Sequence, residues 1–310
     1  MKKVLIIGVN GFVGAHLCHE LIKNGYECYG ADLNDKNFNI KEVIFLQVDI
    51  LKHDMVSELI KKVEPDYIIN LAAISSVKLS WEIPQKTFDI NVNGTLNILE
   101  AIRKNNLIKT RMLLIGSSEQ YGDIDYSKPV SEKYELNALN PYGISKATQE
   151  KIAKLYVKAY DMEIIMVRAF NHIGPGQGKG FVVPDFCSQI VEIEKEKREP
   201  IIKVGNLKAK RDFTDVRDIV KAYRLLLEKG KSGEIYNVGC GETISIQEIL
   251  NILISYSKKN IKIEIDSNKF RAIETPKIQC NNSKLVNETK WTPIISIEES
   301  LEDVMAYWRN

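Results

Sequence analysis

Short apolar runs alternate with helical patterns along the first half of the chain. KVLIIGV (3–9) is a β-branched run that passes into glycine, and GAHLCHELIKNG (14–25) then carries helical periodicity and closes at Gly25. YECYGADL (26–33) and VIFLQVDI (43–50) predict a second and third strand. HDMVSELIKKV (53–63) predicts a helix, and PDYIINLAA (65–73) a fourth strand. PQKTFDINVNGTLNILEAIRKNN (84–106) predicts one long amphipathic helix. RMLLIGSSEQYG (111–122) is a fifth strand running into a loop, followed by a helix with Lys146 and Lys151 and then the strand EIIMVRAF (163–170). Strands that alternate with helices imply a parallel sheet covered on both faces, hence an α/β fold.

The pattern changes after about Phe170. NHIGPGQGKG (171–180) predicts an irregular loop, and FVVPDFCSQIVEIEKEKRE (181–199) a helix after Pro184 whose charged tail is a solvated helical end. GEIYNVG (233–239), SIQEILNILISYS (245–257) and IKIEID (261–266) add short strands and a helix. Residues 1–170 are thus expected to form one domain and residues 171–310 mainly a smaller, mixed α/β lobe. RDFTDVRDIVKAYRLLLEKG, in the stretch of about 210–240, is a candidate to return to the first domain.

The glycines Gly8, Gly11 and Gly14 lie where the first strand meets the first helix. They permit a tight turn and close backbone approach, and the helix N-terminus offers N–H groups to a pyrophosphate. In that context GxxGxxG predicts a Rossmann-type doubly wound sheet binding a dinucleotide, with Asn10, Phe12 and Val13 inside the turn. Asp32 ends the second strand, eighteen residues beyond Gly14. A carboxylate there suits the ribose hydroxyls of NAD(H) and repels the 2′-phosphate of NADP(H); the plain alternative is a solvated loop carboxylate. Asp49 beside Ile50 suits an adenine edge. Leu71, Ala72 and Ala73 end the fourth strand, where small side chains either admit a cofactor backbone or serve tight sheet packing.

Ser117, Ser118 and Glu119 are expected at the carboxyl edge of the sheet, where ligands bind in this architecture. Tyr142 and Lys146 open the next helix, four residues apart and so on one face. Such a pair is commonly helix surface, but its neighbours change its meaning. Ketone reduction needs a hydride donor and a proton donor at the carbonyl oxygen. A free tyrosine, with a pKa of about 10, needs a nearby positive charge to work at neutral pH. A serine hydroxyl can hold the same oxygen.

Composition bounds the rest. With 43 basic and 41 acidic side chains, the net charge of +2 gives no general electrostatic case for nucleic acid or an anionic membrane. No segment has the ~18 consecutive apolar residues of a membrane span, and the N-terminal apolar run fits a strand better than a signal peptide. Five cysteines, none in a CxxC pair, point to buried thiols in a reducing cytoplasm rather than to disulfides or zinc. No His/Cys/Asp spacing supports a metal site. His172 falls in the expected site loop, whereas His16, on the first helix, is expected to be structural.

Over essentially its whole length the chain resembles the extended short-chain dehydrogenase/reductase superfamily, through GxxGxxG, the SSE loop and YxxxK. The resemblance implies an NAD(P)H-dependent enzyme acting on a nucleotide-diphosphate sugar. Ser117 would be the catalytic serine, Tyr142 the acid/base, and Lys146 the residue that binds the nicotinamide ribose and tunes Tyr142. FNHIGPGQGKGFVVPDF, GNLKAKRDFTDVRDIVKAY and GEIYNVGCGETISI are similar to the branch that reduces GDP-4-keto-6-deoxy-D-mannose to GDP-D-rhamnose. By that similarity Ser118, Asn171, Val182, Val183, Arg211 and Arg271 would lie at the GDP-linked 4-keto-6-deoxyhexose, the arginines on its diphosphate. On residues alone, Arg211 is equally a surface partner of Asp212 or Asp215, and Arg271 a free surface arginine. Related 4,6-dehydratases use a glutamate at the position of Glu119 as an elimination base; here Glu119 is taken as a polar site residue. The enzyme alternatives are a 4,6-dehydratase or a 4-epimerase with retained cofactor, and outside catalysis an NAD(P)-sensing module. A homodimer is implied, through the helices after Pro84 and after Tyr142.

Overall fold

A computed structural model of the chain describes residues 1–35, 38–270, 273 and 275–310. Its centre is a seven-stranded sheet. In chain order β1 is Lys3–Ile7, β2 Glu27–Asp32, β3 Ile44–Gln47, β4 Tyr67–Asn70, β5 Arg111–Ser117 and β6 Ile164–Ala169, with Ile235–Val238 as the seventh strand. Across the sheet they run from the seventh strand through β6, β5, β4, β1 and β2 to β3, and every pairing is parallel. The chain order therefore reverses beside β1, between β1 and β4, which is where a doubly wound sheet opens a crevice at its carboxyl edge.

The helices are α1 Phe12–Lys23, α2 His53–Val63, α3 Val77–Glu82, α4 Pro84–Phe88, α5 Gly94–Lys104, α6 Pro141–Tyr160, α7 Val182–Glu194, α8 Val216–Lys229, α9 Ile246–Ser255, α10 Ser283–Thr289 and α11 Ile297–Arg309. Alternation along β1 divides them between two faces. Val4 and Ile6 join a core with Leu17 and Leu21 of α1, Ile219 and Leu226 of α8, Leu285 of α10 and Trp291. Leu5 and Ile7 join the other, with Leu59 and Ile60 of α2, Leu99 and Ile102 of α5 and Ala153 of α6. A third core forms where α7, α9 and α11 pack with the strand Ile201–Val204. Around it are small sheets: Ile201–Val204 with Lys262–Ile265, and Lys210–Arg211 between Ile244–Ser245 and Lys277–Ile278.

Three expectations are corrected. The single long helix of 84–106 is α4, a π-helical turn at Asp89–Asn93, and α5. The widened turn carries Asn91, fully buried, which accepts from Ile74 N–H at 2.9 Å and donates to Ser145 Oγ at 2.8 Å. The loop 171–180 begins with a short strand, Asn171–Ile173, paired with Phe213–Asp215. The helix after it starts at Val182, ahead of Pro184, because a proline in the first turn forfeits no intrahelical bond. It ends at Glu194, and Glu196 adopts a left-handed φ of 56°, so the charged tail lies outside it.

Candidate active site

The glycine turn is built by close approach. Gly8 has φ +84°, and a β-carbon there would come within 2.6 Å of Ala72 N. Ala72 is thus packed against the turn. Gly14 is as tightly placed, with a β-carbon 2.1 Å from Val9 O. Gly11 caps α1 in extended backbone and no side chain takes up the first N–H groups of the helix. Uncapped amides facing the crevice beside β1 fit a pyrophosphate. Asp32 Oδ2 accepts Asn10 N–H at 3.0 Å and Oδ1 accepts Leu33 N–H at 2.8 Å. The carboxylate therefore ties β2 to the turn while keeping lone pairs for further donors. Asp49 closes a local turn onto Leu51 N–H at 3.0 Å. Ile50 packs on Gly94 of α5 and its carbonyl accepts Asn97 Nδ2 at 2.8 Å. Leu71 N–H bonds Ile7 O at 2.8 Å, and Ala73 follows at half-buried depth.

Phe12 leaves the turn to pack on the loop after β6. Its ring stacks on His172, with centroids 6.1 Å apart, and meets His16 edge-on. His16 Nε2 reaches Pro175 O at 2.8 Å. Burial lowers the pKa of both histidines, so both are neutral struts joining α1 to this loop. Val13 packs beside Phe12 on the first core.

Ser117 ends β5 and caps a 3-10 turn, Ser118–Gln120. Its Oγ accepts Glu119 N–H at 3.2 Å, which leaves its own hydrogen to donate. That hydroxyl acts on the Tyr142 phenol by lowering its pKa. Asn140 caps α6, accepting Gly143 N–H at 2.8 Å, and donates from Nδ2 to Glu119 Oε2 at 2.8 Å. Pro141 takes the first helical position, and the Tyr142 N–H is received by Ser80 Oγ of α3 at 3.2 Å. Burial pushes the Tyr142 phenol up to about 12; the Ser117 bond works against this and the Glu119 charge adds to it. Lys146 is nearly inaccessible, and its Nζ donates to Ile115 O of β5 at 2.8 Å. Burial pushes it down to about 7. The lysine is thus anchored to a strand carbonyl, and its charged form is disfavoured by burial.

The residues expected at the substrate divide. Ser118 is buried behind the turn, and Asn171 is exposed at the start of its strand. Arg211 is buried on Lys210–Arg211, where Nη1 donates to Lys210 O at 2.9 Å. Its field and that of Glu119 both act on Tyr126, which bonds Gly122 O. Asp212 is occupied by Cys240 and Cys280 N–H, and Asp215 by Arg217 and Ser300. Val183 is fully buried in the third core and Val182 packs against it, so Val183 has no side-chain surface for a nucleotide. Arg271 lies outside the described residues. Asn140, Gln120 and Tyr126 were missed. NPYG carries a helix-cap signal for Asn140, and SSEQ has the capping-box spacing that points to Gln120. All five cysteines are free thiols, and the described residues hold no cluster of His, Cys, Asp and Glu that could bind a metal. No helix among them is long and apolar enough to cross a membrane.

A glycine turn beside β1 and a Ser–Tyr–Lys set on the same sheet edge define an oxidoreductase of the extended short-chain dehydrogenase/reductase type. Residues 5–304 match the family model described as GDP-mannose 4,6 dehydratase, and the chain belongs to that family. It is 29% identical to the GDP-6-deoxy-D-mannose reductase of Pseudomonas aeruginosa, over 100% of this chain and 98% of the relative. It superposes with a TM-score of 0.87 on RMD from Pseudomonas aeruginosa complexed with NADPH, at 28% identity, covering 100% and 99% of the two chains. It superposes with a TM-score of 0.88 on the UDP-glucose 4-epimerase of Thermus thermophilus in complex with NAD, at 25% identity and 99% of each chain.

Proposed function

We propose that the protein reduces the 4-keto group of a GDP-linked 4-keto-6-deoxyhexose, GDP-4-keto-6-deoxy-D-mannose, to GDP-D-rhamnose. The observation that carries this reading is the meeting of the Ser117 turn with the buried start of α6, which bears Tyr142, through the Glu119–Asn140 bond, with Lys146 bonded to Ile115 O. When bound, a nicotinamide supplies the hydride. Ser117 holds the keto oxygen and Tyr142 donates a proton to it; at about 12 the phenol carries its proton at neutral pH but is a weak acid, and the positive charge that eases its release would come from the nicotinamide as it gives up hydride. Lys146 lies one helical turn from Tyr142, where a ribose hydroxyl is within its reach. Asn171 and Arg211 border the sugar and diphosphate, and Arg271 is assigned to the diphosphate on resemblance alone. Asp32 favours NADH, since a 2′-phosphate would face a carboxylate. The similarity to RMD solved with NADPH makes the cofactor choice a point for measurement. The assembly is a homodimer, supported by the apolar stripe of Ile144 and Leu155 left exposed on α6.

A second reading, 4,6-dehydration, rests on Glu119, whose charge reaches Tyr142. Against it, Asn140 holds the carboxylate at 2.8 Å as part of the helix cap, a positioning rather than a proton-transfer contact. The test supplies GDP-, dTDP- and UDP-linked 4-keto-6-deoxy sugars with NADH or NADPH. Cofactor oxidation is expected with the GDP sugar, faster with NADH. Conversion of GDP-mannose itself, with no net cofactor oxidation, would transfer the assignment to the dehydratase.

A further inference from the structure

Beneath the turn that carries Ser117 and Glu119 lies a chain of polar side chains closed off from solvent. Gln120 folds back on β5. Its Oε1 accepts Ser117 N–H at 2.8 Å, and its Nε2 donates to Glu150 Oε2 at 2.9 Å. The strand makes room for it: a β-carbon on Gly116 would lie 2.2 Å from Gln120 Oε1. Glu150, on α6, receives Arg168 Nε and Nη2 at 2.8 Å each and Lys154 Nζ at 2.9 Å. Arg168 stands opposite Gly116 on β6, reaches Glu132 O at 3.2 Å, and lies over the Tyr121 ring at 4.8 Å. Glu150 and Arg168 are 4% and 2% exposed.

We propose that Gln120, Glu150 and Arg168 are positioning residues for the reaction, holding Ser117 in place at the end of β5; this rests on the reading that Ser117 and Tyr142 act together on the substrate oxygen. Donors and acceptors allow only one arrangement. A carboxylate only accepts, so Glu150 obliges Gln120 to turn its NH2 inward and its oxygen to Ser117 N–H. The reversed amide would set NH2 against N–H and oxygen against carboxylate, losing both bonds. Arg168 keeps Glu150 ionised. Burial raises the glutamate's pKa, but the guanidinium and Lys154 outweigh it and hold the group below its ordinary range. Replacing a buried ion pair with apolar side chains of equal volume is often neutral, so the role assigned to this pair is orientation rather than stability. Fixing Ser117 N–H fixes the direction of its side chain at the strand end, where a misplacement of about 1 Å can cost roughly 100-fold in rate.

The test is a double-mutant cycle on whichever the wild-type enzyme turns over, GDP-4-keto-6-deoxymannose with NADH or GDP-mannose. A wrong reaction class then shows in the wild type and not in the cycle. Gln120→Met should lower kcat by roughly 10–100-fold with little change in KM or cofactor affinity. In a Ser117→Ala background the same change should cost less than about threefold, because the group it positions is gone. If Gln120→Met does not fold, Glu150→Gln keeps the volume, leaves the amide unforced, and should give the same non-additivity. Equal losses in both backgrounds would overturn the proposal. So would a crystal structure of Gln120→Met in which the Ser117 backbone and Oγ keep their wild-type positions.

Discussion

At the scale of single residues, the site depends on what burial does to two ionisable groups. Tyr142 is raised to about 12 and Lys146 lowered to about 7, the first mainly and the second wholly by desolvation. The lysine has a consequence for stability. Its ordinary value is 10.5, so the unfolded chain binds a proton more readily than the fold does between pH 7 and 10.5. Below pH 7 the fold carries the full cost of burying an ammonium; the cost fades as pH rises toward 10.5. Lys146→Met should therefore raise the melting temperature most below pH 7, with the gain shrinking as pH rises. A difference that stays constant from about pH 6 to 10 would show that Lys146 does not titrate in this range. The spacing of Tyr142 and Lys146 was legible in the sequence because one helix holds both. The lysine's partner was not, since Ile115 O is set by how α6 lies on β5.

Among elements, the informative junction is the start of α6. Asn140 caps the helix with its oxygen and holds Glu119 with its nitrogen, and an aspartate can do only the first. Asn140→Asp should keep the helix cap but lower both turnover and, through the repulsion of two carboxylates that then meet, the melting temperature. Asn140→Ala should lose about 1 kcal/mol of stability as well, the typical worth of an N-cap. Wild-type turnover in Asn140→Asp would remove the Asn140–Glu119 bond from the account. The elements themselves were largely legible from alternation, since β-branched runs and 3.6-residue periodicity differ in period. The π-turn at Asp89–Asn93 was not. An extra residue per turn leaves the apolar stripe nearly intact, and the cause, Asn91 bonding Ile74 and Ser145, lies in distant segments. Glu150 and Arg168 escaped for the same reason, whereas the capping-box spacing of SSEQ signalled Gln120.

For the whole molecule, the sheet order puts the glycine turn of β1 and the Ser–Tyr pair of β5 and α6 on one edge, with the third core beyond it. Dimerisation through α6 predicts that the wild type sediments as a dimer and Leu155→Glu shifts it toward monomer. A monomeric wild type would remove that part of the account. The central claim is that the enzyme consumes its cofactor. The direct measurement is stoichiometric: nucleotide-sugar product and oxidised cofactor counted together after complete turnover of GDP-4-keto-6-deoxymannose with NADH. The account predicts one NADH oxidised per sugar reduced, with the rate lost in Tyr142→Phe by roughly 10²–10⁴-fold while NADH binding persists. Product without net NADH oxidation, or turnover undiminished in Tyr142→Phe, would contradict it.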